Sequence, residues 1–136
     1  MEQSEYKKII DVLKRKGHKI TPQRLEIIRV ILTERYKHPS LDEILNKVRQ
    51  RVETVSFSTL YSTIMMLEEL NMLKTFEHGG RMRVEADTSP HINIIDTETG
   101  KVIDLYDEKL IKEIINKIRS KIGKDVNKLM VNVIVY

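Results

Sequence analysis

The sequence predicts an α+β chain in two parts: a helix-rich half that ends in a hairpin, then a smaller β-β-α-β half. Three observations predict it. Apolar residues recur at helical spacing to about residue 70, and the period then drops to two on either side of Gly79-Gly80. A polar segment ending in proline, Asp87-Thr88-Ser89-Pro90, interrupts the chain. Charge is uneven: Lys7 to Arg51 holds roughly 13 Lys/Arg against 5 Asp/Glu, although the whole chain carries only +4.

Each element has a local reason. Residues 4–16, SEYKKIIDVLKRK, alternate apolar pairs with basic residues at helical spacing, and Gly17 stops the helix. Thr21 is an N-cap residue, and Pro22 fits the first helical position. Leu25, Ile28 and Leu32 follow as an apolar stripe. Ser40 and Glu43 form an S-x-x-E capping box ahead of Leu41, Ile44, Leu45 and Val48. Ser56 or Ser58 caps the next helix, Leu60, Ile64, Leu67 and Leu70 line one face of it, and Asn71 suits its end.

LKTFEHGGRMRVEA then alternates around the two glycines as a hairpin. Short helices followed by a basic hairpin are the order of a winged helix, in which the helix before the hairpin enters the major groove. Domain boundaries follow at 1–86, with a hinge at 87–90 and a second domain at 91–136. That second part predicts strands near 91–95 and 101–105, a helix near 107–122 (Leu110, Ile111, Ile114, Ile115 and Ile118) and a final strand in KLMVNVIVY. About 45 residues are too few to bury a large core alone, so this half is expected to pair with a second copy as a homodimer.

Composition excludes several classes. The chain has no cysteine, which rules out disulfides and Cys-type zinc sites. No apolar run approaches the ~20 residues that span a bilayer. The N-terminus lacks the basic-then-apolar order of a signal peptide, so the expected location is cytoplasmic. Neither a nucleophile–base pair nor a Gly-rich phosphate loop is evident, so neither an enzyme nor a small-molecule substrate is expected.

Four collinear stretches, "KITPQR" (19–24), "HPSLDEI" (38–44), "VSFSTLYSTIMMLEELNML" (55–73) and "RVEA…SPHINII…GKVIDL" (83–105), resemble the ferric uptake regulator (Fur) family of metal-dependent DNA-binding repressors. The resemblance covers nearly the whole chain. It implies a winged-helix DNA-binding domain, a dimerisation domain, and regulation of metal-uptake or oxidative-stress genes at AT-rich inverted repeats. One departure is large. Family members usually carry two C-x-x-C pairs for a structural zinc, whereas Asp96 and Thr99 stand at the first pair here and the chain ends where the second would be. The D-T-E-T-G turn is therefore expected to hold itself by hydrogen bonds, with Gly100 at positive φ.

The resemblance implies a regulatory metal site at His38, Glu85, His91, Asn93 and Asp104. Independently, His91 and Asn93 are two apart on one expected strand and share a face. Asp104 lies within reach if the hairpin pairs. Asn93 stands where a typical member has histidine. Two imidazoles and two carboxylates suit Fe(II) or Mn(II), and Zn(II) binds at least as tightly in vitro by affinity order. Pro90 and Ile92 occupy the first ligand positions of a further family site, which is expected to be lost. For each of these residues alone, an exposed loop histidine or a strand-end carboxylate is the plainer reading.

For DNA, the resemblance implies that Tyr61 touches thymine methyls and that Lys19 reaches the minor groove beside A·T pairs. Ser58, Thr59 and Ser62 lie on the same expected helix, and Ser62 replaces the arginine or asparagine of many relatives. Arg24, and Arg81 or Arg83 of the hairpin, are expected at phosphates. Two other readings stand beside this one: a metal-independent winged-helix regulator with a decayed metal site, and a protein-interaction module that uses the basic face for an acidic partner.

Overall fold

The computed structural model describes residues 2–87, 89–126 and 129–136. Thr88 of the expected hinge, and Lys128 at the start of the expected final strand, lie outside the described residues. The chain divides into two compact units, Met1–Asp87 and Thr88–Tyr136. The architecture is the α+β one that the sequence predicts.

The first unit runs α1 (Glu2–Arg15), α2 (Pro22–Thr33), a 3₁₀ turn (Arg35–Lys37), α3 (Leu41–Arg49), α4 (Phe57–Glu69), β1 (Lys74–His78) and β2 (Arg81–Glu85). The helix ends follow local chemistry. Gly17 takes φ +78° after α1, with His18 N–H donating to the Leu13 carbonyl and Gly17 N–H to Lys14, a Schellman stop. Asn71, at φ 59°, makes the same stop after α4 through the Leu67 and Glu68 carbonyls. Thr21 and Ser56 accept from the N–H groups of Arg24 and Thr59, so Ser58 is not the cap of α4. Ser40 likewise accepts from the Glu43 N–H. The Glu43 carboxylate, however, accepts from the Ser40 hydroxyl rather than from its backbone, so only half of the capping box forms.

The core of this unit gathers Leu13, Ile27, Ile28, Ile31, Ile44, Val48, Leu60, Ile64 and Leu67, among others. The stripe expected on α2 is wider than Leu25, Ile28 and Leu32. Leu25 is only half-buried, whereas Ile27, Val30 and Ile31 are buried, because α2 packs against α1, α3 and α4. In the hairpin, Gly79 and Gly80 both take positive φ, as a two-residue type I′ connection demands. Strand β2 also bridges Ser40 in antiparallel register, and the Val84 N–H donates to the Pro39 carbonyl.

The second unit is β3 (Ile92–Asp96), β4 (Val102–Leu105), α5 (Glu108–Ile122) and β5 (Val131–Val135). The sheet order is β4-β3-β5, with β4 antiparallel and β5 parallel to β3. Strand β3 starts one residue later than expected, so His91 immediately precedes it. Among the described residues of this unit, Ile92, Ile95 and Ile111 are the buried apolar side chains. Leu110, Ile114, Ile115 and Ile118 of α5 are half-buried. Ile103, Leu105, Tyr106, Ile122, Val133, Ile134, Val135 and Tyr136 are exposed.

Glu34 closes α2 and opens the 3₁₀ turn that leads to His38. Its carboxylate takes Lys47 of α3 at 2.6 Å and Lys37 at 3.2 Å. The Lys47 bond is the main reason that its carboxyl lies below the usual value of 4.5, and burial opposes the shift only in part. A depressed native value adds stability above 4.5 that is lost as pH falls through it. Glu34→Gln should therefore be less stable than wild type in urea melts at pH 7. The gap should narrow as pH drops below 4.5, and a gap independent of pH would contradict this role.

Candidate functional site

In the first unit, the sequence places His38 directly after the 3₁₀ turn and before Pro39. The residue adopts φ 49°, ψ 57°, a left-handed conformation uncommon for a side chain of this size. Such strain persists only where the surroundings hold it. Here Arg83 Nη1 donates to the His38 carbonyl at 3.0 Å, and the ring edge meets Phe76 at 6.1 Å between centroids. Residues 83 and 85 share a face of β2, so the same strand that clamps the His38 backbone delivers Glu85 to its ring. His38 Nε2 lies 3.2 Å from Glu85 Oε2, with both side chains buried. His38 is thus no exposed loop histidine, and Arg83 has a fixed structural bond besides any contact with phosphate.

In the second unit, one register row crosses the whole sheet. Asp104 of β4 pairs with Asn93 of β3, which pairs with Asn132 of β5. His91 sits above the row. Its Nδ1 lies 2.7 Å from the Ser89 carbonyl, its Nε2 lies 3.0 Å from Asn93 Oδ1 and 3.6 Å from Asp104 Oδ1, and its ring packs 5.2 Å from that of Tyr106. A carbonyl only accepts, so Nδ1 carries the hydrogen and Nε2 is the nitrogen aimed at the two oxygens. Three donor atoms of His91, Asn93 and Asp104 therefore converge where a proton or a cation is electrostatically favoured.

The two units thus each carry a buried imidazole beside a carboxylate. The donors are nitrogen and oxygen only, a set that suits Fe(II), Mn(II) or Zn(II). Neither set alone fills the four to six positions that such ions take.

The D-T-E-T-G turn holds itself as expected. Gly100 N–H donates to the Asp96 carbonyl at 2.8 Å with Gly100 at φ +74°, and Lys101 N–H donates to the Thr99 hydroxyl at 3.3 Å. The Glu98 N–H and the Thr99 hydroxyl hold the Asp96 carboxyl below its ordinary value. Thr97 donates from both N–H and hydroxyl to the Val135 carbonyl, which ties the turn to β5.

On α4, Ser58, Tyr61 and Ser62 are exposed and Thr59 is half-buried. The Thr59 hydroxyl accepts from Ser56, and its carbonyl accepts from the Ser62 and Thr63 hydroxyls, so Thr59 is engaged in the helix cap. Phe57, which the sequence reading did not single out, stacks on Tyr61 at 6.3 Å and is equally exposed. The i, i+4 spacing of two aromatics was the available signal. Lys19 and Arg81 are exposed, and Arg24 Nη1 donates to the Lys19 carbonyl at 2.8 Å, which holds those two basic residues together. Among the described residues, no helix is long and apolar enough to cross a membrane.

Comparison with known proteins adds a family match. The model of the ferric uptake regulator family matches residues 15–134. The ferric uptake regulation protein homolog of Archaeoglobus fulgidus is 38% identical over 117 residues, covering 86% of this chain and 87% of that protein. The structure of the Helicobacter pylori ferric uptake regulator, described as having three functional metal binding sites, superposes with TM-score 0.79 at 25% identity, covering 100% of this chain and 91% of that one. The Campylobacter jejuni peroxide stress regulator superposes with TM-score 0.72 at 28% identity and covers 93% of each chain.

The Ser89 contact makes a spectroscopic prediction. In ¹⁵N NMR of metal-free protein, the His91 Nδ1 should show a protonated shift throughout the folded pH range. Added Zn(II) should move the Nε2 resonance while Nδ1 stays protonated. A metal-induced loss of the Nδ1 proton would contradict the assignment.

Proposed function

The chain belongs to the ferric uptake regulator family of metal-responsive transcriptional regulators, and from that premise we propose that it is a homodimeric repressor whose DNA affinity is set by one divalent ion per protomer. His38 and Glu85 supply donors from the first unit, and His91, Asp104 and Asn93 supply them from the second. The observation that carries this reading is the imidazole–carboxylate pair in each unit, at 3.2 Å and 3.6 Å, with both imidazoles buried. A bound divalent ion supplies the positive charge that lets two carboxylates and two imidazoles share one site.

The residues then do the coupling. If both pairs held one ion, that ion would tie first-unit donors to second-unit donors and so restrict each protomer. A dimer reads two half-sites about one helical turn apart, ~34–36 Å or multiples of that, so this restriction bears directly on DNA affinity. A coupling energy of ~1–3 kcal/mol is typical of such linkage. Fe(II) or Mn(II) fits the nitrogen and oxygen donors, and Zn(II) binds in vitro by affinity order.

Dimerisation falls to the second unit. Among its described residues, three buried isoleucines cannot stabilise it alone, and eight large exposed apolar side chains include Val133, Ile134 and Val135 of an edge strand. On DNA, Tyr61 and Phe57 present a stacked apolar face suited to thymine methyls. Lys19, Arg24 and Arg81 contact backbone or an AT-rich minor groove.

A metal-independent regulator is the second reading. It is favoured by Asn93, a weak neutral oxygen donor, and by the absence of cysteine. Fluorescence anisotropy on inverted-repeat DNA from the chain's own upstream region separates the two. Under anaerobic conditions, Mn(II) should tighten wild-type binding tenfold or more relative to chelator, which corresponds to about 1.4 kcal/mol. His91→Ala should lose that gain. Tyr61→Ala should bind more weakly yet keep the response to Mn(II). Equal affinity with chelator and with Mn(II) would establish the metal-independent reading instead.

A further inference from the structure

We propose that Asn132, an exposed residue of β5, is a positioning residue that sets which end of the Asn93 amide faces the metal donors. The inference rests on the metal-site reading above and deepens it. An amide offers an oxygen or an NH₂ group, and only the oxygen can bind a divalent cation. Asn93 is almost wholly buried, so the choice of end is made by its neighbours rather than by water.

Two of those neighbours, Asp104 and Asn132, share its register row, and His91 lies beside it. On one side, Asn93 Nδ2 donates to Asn132 Oδ1 at 3.0 Å. In that bond the NH₂ end faces β5. The oxygen end is thereby turned toward His91 Nε2, at 3.0 Å, beside Asp104 on the opposite strand. Asn93 and Asn132 are direct partners in the parallel β3–β5 ladder, and neighbouring strands lie close enough for same-face side chains to bond.

Remove the acceptor at 132 and the energetics reverse. A buried NH₂ group without its acceptor is costly. Acceptors on the other side of Asn93 are the Asp104 carboxylate, its register partner, and Nε2 of His91, whose hydrogen Ser89 holds at Nδ1. A half-turn of the Asn93 amide would then point N–H groups at the atoms that must bind the ion. Asn132 therefore makes the second-unit donor set one nitrogen and two oxygens, a set that suits oxygen-preferring ions such as Mn(II). Groups that orient metal ligands in this way typically change affinity 10–100-fold when removed.

The test is a double-mutant cycle in the full chain, using Asn132→Val, Asn93→Asp and the pair together. Asp at 93 presents oxygen at both ends and needs no positioning. Competition titrations with Mn(II) and Zn(II) against a fluorescent chelator give the affinities, and melting in chelator reports stability. Asn132→Val alone should weaken Mn(II) at least tenfold and Zn(II) less. In the Asn93→Asp background the same substitution should leave Mn(II) affinity unchanged. A purely structural role would weaken both metals equally in both backgrounds and lower the melting temperature. That result, or wild-type Mn(II) affinity in Asn132→Val, overturns the proposal. If His91→Ala loses Mn(II) while Asn132→Val keeps it, the metal site stands and only Asn132's role fails. Absence of Mn(II) binding by wild type would overturn both.

Discussion

Burying a carboxylate is costly unless positive charge or hydrogen-bond donors come with it. This chain buries Glu85 against His38 and half-buries Asp104 against the buried ring of His91. Much of the surrounding structure follows from that constraint. The left-handed backbone at His38, the Arg83 bond to its carbonyl and the bridge between Ser40 and β2 all serve to put one ring against one carboxylate. In the second unit, the Ser89 carbonyl fixes the His91 tautomer, and the sheet register sets Asn93 and Asp104 beside its other nitrogen.

The two units solve the problem of stability differently. The first has a continuous apolar core built from four helices and the hairpin. Among its described residues, the second closes a three-stranded sheet and one helix around three isoleucines, and it leaves large apolar side chains exposed on an edge strand. In place of a metal knuckle, its turn at 96–100 uses backbone bonds and two Thr97 donors on the Val135 carbonyl to tie the hairpin to β5. A unit built this way gains most by covering β5 and the exposed face with a second copy.

Much of this was legible from residue order, for physical reasons. Thr21-Pro22, Ser56, Gly17 and Gly79-Gly80 act locally, so caps and the hairpin follow from the residues themselves. The candidate ligands in each unit were readable from spacing and resemblance together. What was not legible depends on contacts distant in sequence. The 45-residue separation between Arg83 and His38 hides a side chain whose charge alone suggests DNA. Asn132 was invisible because the parallel pairing of β3 with β5 passes through a whole helix before the two amides meet. The Phe57–Tyr61 spacing allows a stacked pair, but only the exposure of both rings distinguishes a surface face from core. The buried face of α2 is wider than Leu25, Ile28 and Leu32 predict, since a helix packed against three others loses its single apolar face.

In the proposed function, bound metal would restrict each protomer. The absence of cysteine makes a direct test simple, because Glu53→Cys, in the exposed loop before α4, gives one nitroxide label per protomer. Pulsed electron paramagnetic resonance on the dimer would compare chelator with diamagnetic Zn(II). The account predicts a broad distance distribution in chelator that narrows with Zn(II), and no narrowing when His91→Ala is added. An identical distribution with and without Zn(II) would contradict it.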